Sequence, residues 1–301
     1  MRIGISIGDV RGPASPADLV AQVRTAAELG YDTVWSSQAF GWDALTSLAV
    51  AGTLVPGIPL GTAVVPVPQR HPLVLASQAL SVQAATGNRL TLGVGAGVAM
   101  MVTSMYGLPA DRPAARMREY LTVLGPLLRG ESVAHEGELI TASGQVAVPG
   151  AEPPEVLVAA LGPAMLRVAG ELAGGTVTWM TGPRTLAAHI VPAITRAAES
   201  AGRPAPRVVA GLPVCVTDDE AGVRERIAEQ FGLAGRVPEY RAVLDREGVA
   251  GPQDVAVVGD EKGVARQLAR LADAGVTDYL ASPFGTAEEQ ERTVRAVAAL
   301  I

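Results

Sequence analysis

The chain has 301 residues, of which 49% are hydrophobic, 4% aromatic and 18% charged, and its formal net charge is -6. This composition is typical of a globular protein with a large aliphatic core and excludes an intrinsically disordered chain. The acidic balance and the lack of a basic run argue against nucleic acid or an anionic membrane surface as a partner, so small molecules are the expected ligands.

Strand-like and helix-like segments alternate through the first hundred residues. The predicted strands are Arg2–Gly8, Asp32–Ser37, Pro59–Val65 and Arg89–Gly95. The predicted helices between them are Ala17–Leu29, Asp43–Leu54 and Pro72–Ala85. We expect Ser15 and Asp18 to provide capping at the start of the first helix and Gly30 to end it. Repeated strand-helix-strand units predict a parallel sheet with right-handed crossovers.

The alternation is interrupted between about residues 98 and 150. The segment Val98–Tyr106 lacks a clear helical period and is predicted to be irregular, and a helix is predicted at Arg112–Leu128. Ser132–Val148 is predicted to be a β-hairpin that turns at Glu136-Gly137-Glu138. We therefore expect one domain over residues 1–301 with an insertion after the fourth strand.

In the second half of the chain, the alternation of predicted strands and helices resumes. Its predicted strands are Glu155–Ala159, Thr176–Met180, Arg207–Val216 and Thr277–Ala281. Its predicted helices are Ala164–Ala173, Leu186–Ala201, one capped by Asp218, Pro238–Glu247, Lys262–Ala274 and Ala287–Leu300. Eight parallel strands with helices between them predict a closed (β/α)8 TIM barrel rather than an open doubly wound sheet. The chemistry of such a barrel lies at the carboxyl ends of its strands.

A glycine-rich run, NRLTLGVGAGVAMM, covers residues 88–101 and ends the fourth predicted strand. Its spacing is G-x-G-x-G at Gly93, Gly95 and Gly97, which differs from the G-x-G-x-x-G of dinucleotide-binding folds, and the segment after it does not resemble a helix. Two interpretations stay open. The glycines either relieve crowding inside a barrel, or they leave bare backbone for a flat ring.

The remaining reactive side chains favour structural roles. Cys215, the only cysteine, lies in an apolar run and is expected to be a buried thiol. His71 precedes Pro72 at a helix start, His135 falls in the hairpin and His189 inside a helix, so none is placed as a general acid. No metal site is expected. The first residues, MRIGISIG, follow a strand pattern rather than that of a secretion signal, which predicts a cytoplasmic location.

Four motifs occur in the order and spacing of a known family. They are Leu60-Gly-Thr-Ala-Val64 with Arg70-His-Pro72, Asn88-Arg-Leu-Thr-Leu-Gly-Val-Gly95, Ala159-Ala-Leu-Gly-Pro163 and Thr176-Val-Thr-Trp-Met-Thr-Gly-Pro183. Across essentially the whole chain, the sequence resembles the luciferase-like monooxygenase superfamily, and more closely its coenzyme F420-dependent oxidoreductases. The resemblance implies a TIM barrel of the bacterial luciferase-like type, a homodimer, and coenzyme F420 as cofactor, with FMN as the alternative.

The resemblance also implies a set of site residues. A deazaflavin or FMN ring would lie across the strand ends, beside Ser37, Gln38, Ala63, Val64, Gly95, Gly97 and Trp179. A non-prolyl cis peptide would join Ala63 to Val64. The cofactor phosphate would meet the backbone amides of Leu161, Gly162, Thr181 and Gly182. A substrate pocket would be lined by Ile7, Val98, Met101 and Trp179.

The usual proton donor of this family is missing from the sequence. Relatives often carry an acid or a histidine after the fourth strand, where this chain has Val98 and Met101, and after the second strand, where it has Ser37 and Gln38. The catalytic residue is therefore unassigned, and Asp9, Gln38 and Tyr106 are the remaining candidates.

Three functional hypotheses follow from the resemblance. The first is a coenzyme F420-dependent oxidoreductase that transfers a hydride to or from a small organic substrate. Reduction of an activated C=C or C=N bond in specialised metabolism would suit it, because water or substrate can then supply the proton. The second is an FMN-dependent monooxygenase of the same superfamily. The third is a non-catalytic member that only binds cofactor or ligand.

Overall fold

The computed structural model describes residues 1–8 and 15–301. Its strands are β1 (Arg2–Ile7), β2 (Thr33–Ser36), β3 (Leu60–Thr62), β4 (Val65–Pro66), β5 (Leu90–Gly95), β6 (Val133–Glu136), β7 (Thr141–Gly144), β8 (Glu155–Ala159), β9 (Gly175–Trp179), β10 (Arg207–Val216), β11 (Val257–Gly259) and β12 (Asp278–Pro283).

The helices complete the element order. They are α1 (Pro16–Glu28), α2 (Ala44–Leu54), α3 (Pro72–Thr86), α4 (Ala99–Tyr106), α5 (Pro113–Leu128), α6 (Pro163–Leu172), α7 (Pro183–Thr185), α8 (Val191–Ser200), α9 (Glu220–Phe231), α10 (Pro238–Glu247), α11 (Pro252–Val255), α12 (Glu261–Asp273) and α13 (Ala287–Ala298). A π-helical turn, Leu186–Ile190, joins α7 to α8, and a 3-10 turn, Ala234–Arg236, precedes α10.

Eight parallel strands close into a barrel. Their order is β1-β2-β3-β5-β8-β9-β10-β12, and β12 pairs back with β1. The predicted (β/α)8 TIM barrel is thus confirmed. The short β4 follows β3 in the chain and also pairs with β5. Outside the ring, β11 adds a parallel strand next to β10. Within the described ranges, no helix is long and apolar enough to cross a membrane.

Alternate residues of each strand face two different cores. Ile3, Ile5 and Ile7 of β1 belong to the large apolar layer between the strands and the helices. Because side chains alternate along a strand, Gly4 and Ser6 face the barrel interior. The interior holds a separate cluster of Trp35, Leu157, Val177, Val209 and Leu280, with Ala63 and Val64 packed against it.

Trp35 fills the middle of the barrel and is only 1% exposed. Its indole lies against two glycines on the neighbouring strands. A Cβ at Gly4 would lie 2.4 Å from Trp35 Nε1, and a Cβ at Gly61 would lie 2.3 Å from Trp35 Cε3. The large side chain on β2 therefore depends on the absence of side chains on β1 and β3.

The insertion between β5 and β8 contains α4, α5 and the antiparallel pair β6–β7. The predicted hairpin is confirmed, and it docks on α5 because the carboxylate of Glu119 accepts hydrogen bonds of 2.9 Å from the Leu139 and Ile140 amides. Burial raises the pKa of Glu119, but these two bonds, together with the Glu138 amide and His135, leave the pKa below its usual value. The hairpin is thus held to the barrel by an ionised side chain.

Three local predictions are wrong. Val98–Tyr106 is not irregular, since α4 forms there, with Val102 buried against Gly97 and Gly107 ending the helix in the left-handed conformation. The α9 helix is capped by Asp219, which accepts from the Gly222 amide, rather than by Asp218, which lies beside Arg292. The helix expected to begin at Leu186 starts earlier, at Pro183. The last two errors concern helix ends, where tertiary contacts choose among neighbouring residues.

We expect Gly61→Ala to destabilise the protein by about 1–3 kcal/mol, because the added methyl group overlaps the Trp35 ring in a packed interior. Thermal unfolding should show the midpoint lowered by several degrees.

Gly125→Ala is the matched control, since a Cβ at Gly125 in α5 would meet only the Arg129 side chain, at 3.6 Å. That change should be neutral or stabilising by up to about 1 kcal/mol. Equal unfolding midpoints for the two variants would contradict the filled-barrel interpretation.

Candidate functional site

The carboxyl ends of the eight barrel strands and the loops after them form one end of the molecule, here called the barrel mouth. The interior layer nearest this end consists mainly of small residues, which we call the mouth floor: Ser6, Ala63, Gly95, Ala159, Gly211 and Ser282. It lies above the apolar cluster around Trp35. Small side chains at this level leave room above a closed interior, as a ligand site requires.

Val64 lies at the edge of the mouth floor, after the cis peptide that joins it to Ala63. The predicted cis bond is thus present. A Cβ on Gly95 would lie 2.8 Å from Val64 Cγ2, and one on Gly93 would lie 3.0 Å from Val64 Cγ1 and 2.0 Å from the Thr62 carbonyl oxygen. The glycine run therefore faces the interior, and Val64 occupies the space beside it. This arrangement supports the crowding interpretation, with Val64 rather than bare backbone forming the surface.

The end of β2 holds both peptide oxygens of this pair. Ser37 Oγ donates to the Ala63 oxygen at 2.7 Å, and the Gln38 amide donates to the Val64 oxygen at 3.2 Å. The Gln38 side-chain oxygen accepts from the Ala44 amide at 2.8 Å, at the start of α2. The Gln38 side chain is thus engaged at the start of α2, and an amide has no acidic proton to donate.

An aromatic wall stands on the side of the mouth formed by β9 and β10. Trp179, half-buried, lies over Gly211, where a Cβ would come within 3.0 Å of its ring. Phe231 of α9 meets Trp179 edge to face with ring centroids 6.0 Å apart, and Phe284 contacts Phe231 at 6.0 Å. Edge-to-face geometry is favourable between aromatic rings and fixes their orientation. Trp179 is thus held in one position at the mouth.

The residues after β5 lie on α4. Val98 is its N-cap and Met101 lies in its first turn, both half-buried, while Gly97 just before them is exposed with φ 73°. Tyr106 ends the helix and is 42% exposed. Asp9, another catalytic candidate, falls outside the residues that the structure describes.

Ile7 requires a correction. It was predicted to line the substrate pocket, but it is 4% exposed and packs in the layer between strands and helices. Alternation of side chains along β1 brings Ser6 to the interior instead. Its hydroxyl lies 3.4 Å from that of Ser282 on β12. The corresponding position of the mouth is therefore polar rather than apolar.

The loops after β8 and β9 differ in what their amides bind. Gly162, exposed, is the N-cap of α6 and makes no side-chain capping bond. After β9, Thr181 and Gly182 are buried, and the Glu247 carboxylate accepts from the Arg184 amide at 3.1 Å and the Thr185 amide at 2.6 Å. A helix N-terminus attracts anions. The second of these two termini already holds a carboxylate of the chain itself.

The cysteine and two of the histidines have the structural roles expected. Cys215 is fully buried, and burial, together with the Glu289 carboxylate, raises the pKa of its thiol to about 11. His71 caps α3 by accepting from the Leu73 amide, and His135 lies in β6 of the hairpin. In the ranges 1–8 and 15–301, no three His, Cys, Asp or Glu side chains are grouped as a metal site would need.

Three features of the mouth had no clear signal in the sequence: the cap by Glu247, the contact of Phe231 with Trp179, and the hydroxyl pair of Ser6 and Ser282. Each joins segments far apart in the chain. Of the residues in these features, only Ser6 could have been found from the sequence. The alternation of side chains along β1 places Ser6, rather than Ile7, in the barrel interior.

Comparison with known proteins agrees with this geometry. The family model described as luciferase-like monooxygenase matches residues 1–278. A putative coenzyme F420-dependent oxidoreductase of Mycobacterium tuberculosis is 28% identical, over 100% of this chain and 99% of the relative.

Two solved structures share the fold. An F420-dependent secondary alcohol dehydrogenase in complex with an F420-acetone adduct has a TM-score of 0.84 and 17% identity, covering 100% of this chain and 98% of that one. The oxygenating constituent of 3,6-diketocamphane monooxygenase from the CAM plasmid of Pseudomonas putida, bound to FMN, has a TM-score of 0.77 and 18% identity, covering 99% and 97%. Since the family match spans residues 1–278, this chain belongs to the luciferase-like monooxygenase family.

Proposed function

We propose that the chain is a coenzyme F420-dependent oxidoreductase that transfers a hydride to or from a small organic substrate. The observation that carries the proposal is the mouth floor, an interior layer of small residues with Val64 at its edge and the fixed Trp179 ring beside it. The name of the mycobacterial relative, which matches along the whole chain, supports coenzyme F420 over FMN.

The residues of the mouth fit a flat cofactor with a phosphate. Ala63, Val64 and Trp179 would hold the ring, and the unshared amides at the start of α6, beside Leu161 and Gly162, would hold the phosphate. When bound, the deazaflavin supplies the carbon that carries the hydride. The protein residues then have to exclude water and orient the substrate.

The proposed reaction needs no acidic side chain. Ser37 and the Gln38 amide bond to the Ala63 and Val64 oxygens, and Val98 and Met101 are apolar, so none of these side chains is an acid. Reduction of an activated C=C or C=N bond tolerates this, because water or the substrate can supply the proton. Specialised metabolism and a cytoplasmic location stay predictions.

Titration with coenzyme F420 is expected to quench tryptophan fluorescence, and Trp179→Phe should reduce the quenching because Trp179 forms part of the mouth wall. A suitable substrate should then change the deazaflavin absorbance in a single turnover. Tight FMN binding with oxygen uptake, and no binding of coenzyme F420, would instead favour the monooxygenase hypothesis. Binding without hydride transfer would favour a non-catalytic role.

We propose that the cofactor phosphate binds at α6 rather than at Thr181 and Gly182. The Glu247 carboxylate already accepts from the amides that begin the helix after β9, and a second anion beside it would be repelled. Local sequence gives both loops the same Gly-Pro start. Among the described residues, no side chain caps the start of α6.

Glu247→Ala should therefore lower stability by about 1–2 kcal/mol, since two backbone donors lose a charged acceptor. The affinity for coenzyme F420 should stay within about twofold, provided that the phosphate binds at α6. Thermal unfolding, amide exchange at Arg184 and Thr185, and cofactor titration measure these effects. Glu229→Ala on exposed α9 surface is the control. A tenfold loss of cofactor affinity in Glu247→Ala alone would place the phosphate after β9.

We further propose that the protein forms a homodimer through α2 and α3. Neither helix contains an Asp, Glu, Lys or Arg, although both lie on the outside of the barrel. Their exposed side chains include Val50 (41%), Leu54 (60%) and Val74 (50%). A surface helix pair without charge is typical of a buried interface.

The double variant Val50→Asp, Val74→Asp should convert a dimer into a monomer, because two carboxylates would be buried without partners. Light scattering during gel filtration should give twice the 30.8 kDa subunit mass for the wild type and one subunit mass for the variant. Leu233→Asp, at an exposed position away from these helices, should leave the mass unchanged. A monomeric wild type would contradict the proposal.

A further inference from the structure

His189 makes a long-range contact that ties together the loops after two neighbouring strands. Its Nε2 lies 3.0 Å from the carbonyl oxygen of Leu161, 28 positions earlier in the chain. Leu161 belongs to the loop after β8, and His189 to the helical region after β9. The contact is half-buried, so water competes with it less than at an open surface.

The chemistry of this contact fixes the imidazole. A carbonyl oxygen only accepts hydrogen bonds, so Nε2 must carry a proton and donate it. That nitrogen is thereby committed to the backbone and not to a substrate. His189 is therefore a positioning residue rather than a general acid.

The backbone of the helix explains why His189 reaches this loop. Leu186–Ile190 forms a π-helical turn, in which the Val191 amide bonds to the Leu186 oxygen. Pro192 follows, and it has no N–H to continue the α-helical pattern and would clash with the oxygen of Ala188. The wider turn accommodates the proline and sets the direction in which His189 projects.

Holding the Leu161 carbonyl also orients the next amide. The peptide bond between Leu161 and Gly162 is planar, and in a trans unit the C=O and N–H point in opposite directions. Fixing the oxygen toward His189 therefore directs the Gly162 N–H away from His189. Gly162 is exposed, begins α6 and makes no side-chain capping bond.

We propose that His189 positions the Gly162 amide to bind the phosphate of the cofactor, and so determines the preference for a phosphorylated over an unphosphorylated ligand. This inference rests on the proposed function. It adds a specificity-determining residue that does not contact the ring.

The test compares His189→Ala with His189→Gln, whose amide NH2 can donate to the Leu161 oxygen from a similar distance along the side chain. Dissociation constants are measured for the deazaflavin core with its ribityl chain, for the same core carrying one terminal phosphate, and for coenzyme F420. His189→Ala should weaken binding of both phosphorylated ligands by roughly threefold to tenfold, the effect of one hydrogen bond. Binding of the unphosphorylated core should not change, and His189→Gln should restore most of the loss.

A second readout needs no cofactor. The amide resonance of Gly162 should shift in His189→Ala and return toward its wild-type position in His189→Gln. An equal loss for phosphorylated and unphosphorylated ligands would mean a general structural role and overturn the proposal. The proposal would also be overturned if His189→Ala left the ratio of the dissociation constants for unphosphorylated and phosphorylated ligands unchanged. An equal loss of phosphorylated-ligand affinity in His189→Ala and His189→Gln would overturn it as well.

Failure of the proposed function is distinguishable, because the wild type would then bind neither deazaflavin form. In that case FMN and riboflavin, which also differ by one phosphate, provide the same comparison. If the wild type shows no preference for FMN over riboflavin either, the role of His189 is refuted along with the phosphate site.

Discussion

The filling of the barrel interior is the constraint on which the rest of the structure depends. Eight strands enclose a space that side chains must occupy, and Trp35 fills the middle of it. The indole fits only because Gly4 and Gly61 on the flanking strands carry no Cβ. The same arrangement recurs with Val64 over Gly93 and Gly95, and with Trp179 over Gly211. Large side chains thus lie next to glycines of neighbouring strands around the barrel.

This packing determines what the mouth can bind. Because Trp35 and its aliphatic neighbours close the barrel below, the layer above can be small without opening a channel. Ser37 Oγ donates to the Ala63 oxygen and the Gln38 amide donates to the Val64 oxygen, so that Val64 presents an apolar surface in a held backbone. Phe231 restricts Trp179 at the opposite side. A flat, rigid ligand suits such a surface better than a flexible chain, which would lose more entropy on binding.

Sequence reasoning recovered the barrel because its signal is repeated. Each strand-helix unit has its own periodicity, and an error of a few residues at one end, as at Pro183, leaves the count of strands unchanged. The α4 helix was missed since its residues have no clear apolar period, and Val102, its buried side chain, packs beside Gly97. Ile7 was misassigned because position at a strand end was considered without side-chain alternation. The cis peptide was expected only from family resemblance.

The contacts that distinguish the two loops predicted to bind phosphate lie beyond local sequence. Both loops read Gly-Pro followed by a helix, at Gly162-Pro163 and Gly182-Pro183, so local chemistry assigns them equal affinity for phosphate. Residues far along the chain make them different. Glu247 closes the second loop with a carboxylate, whereas His189 bonds a carbonyl of the first and leaves the Gly162 amide directed elsewhere. An anion-binding site is therefore defined as much by which amides the protein satisfies itself as by the glycines that expose them.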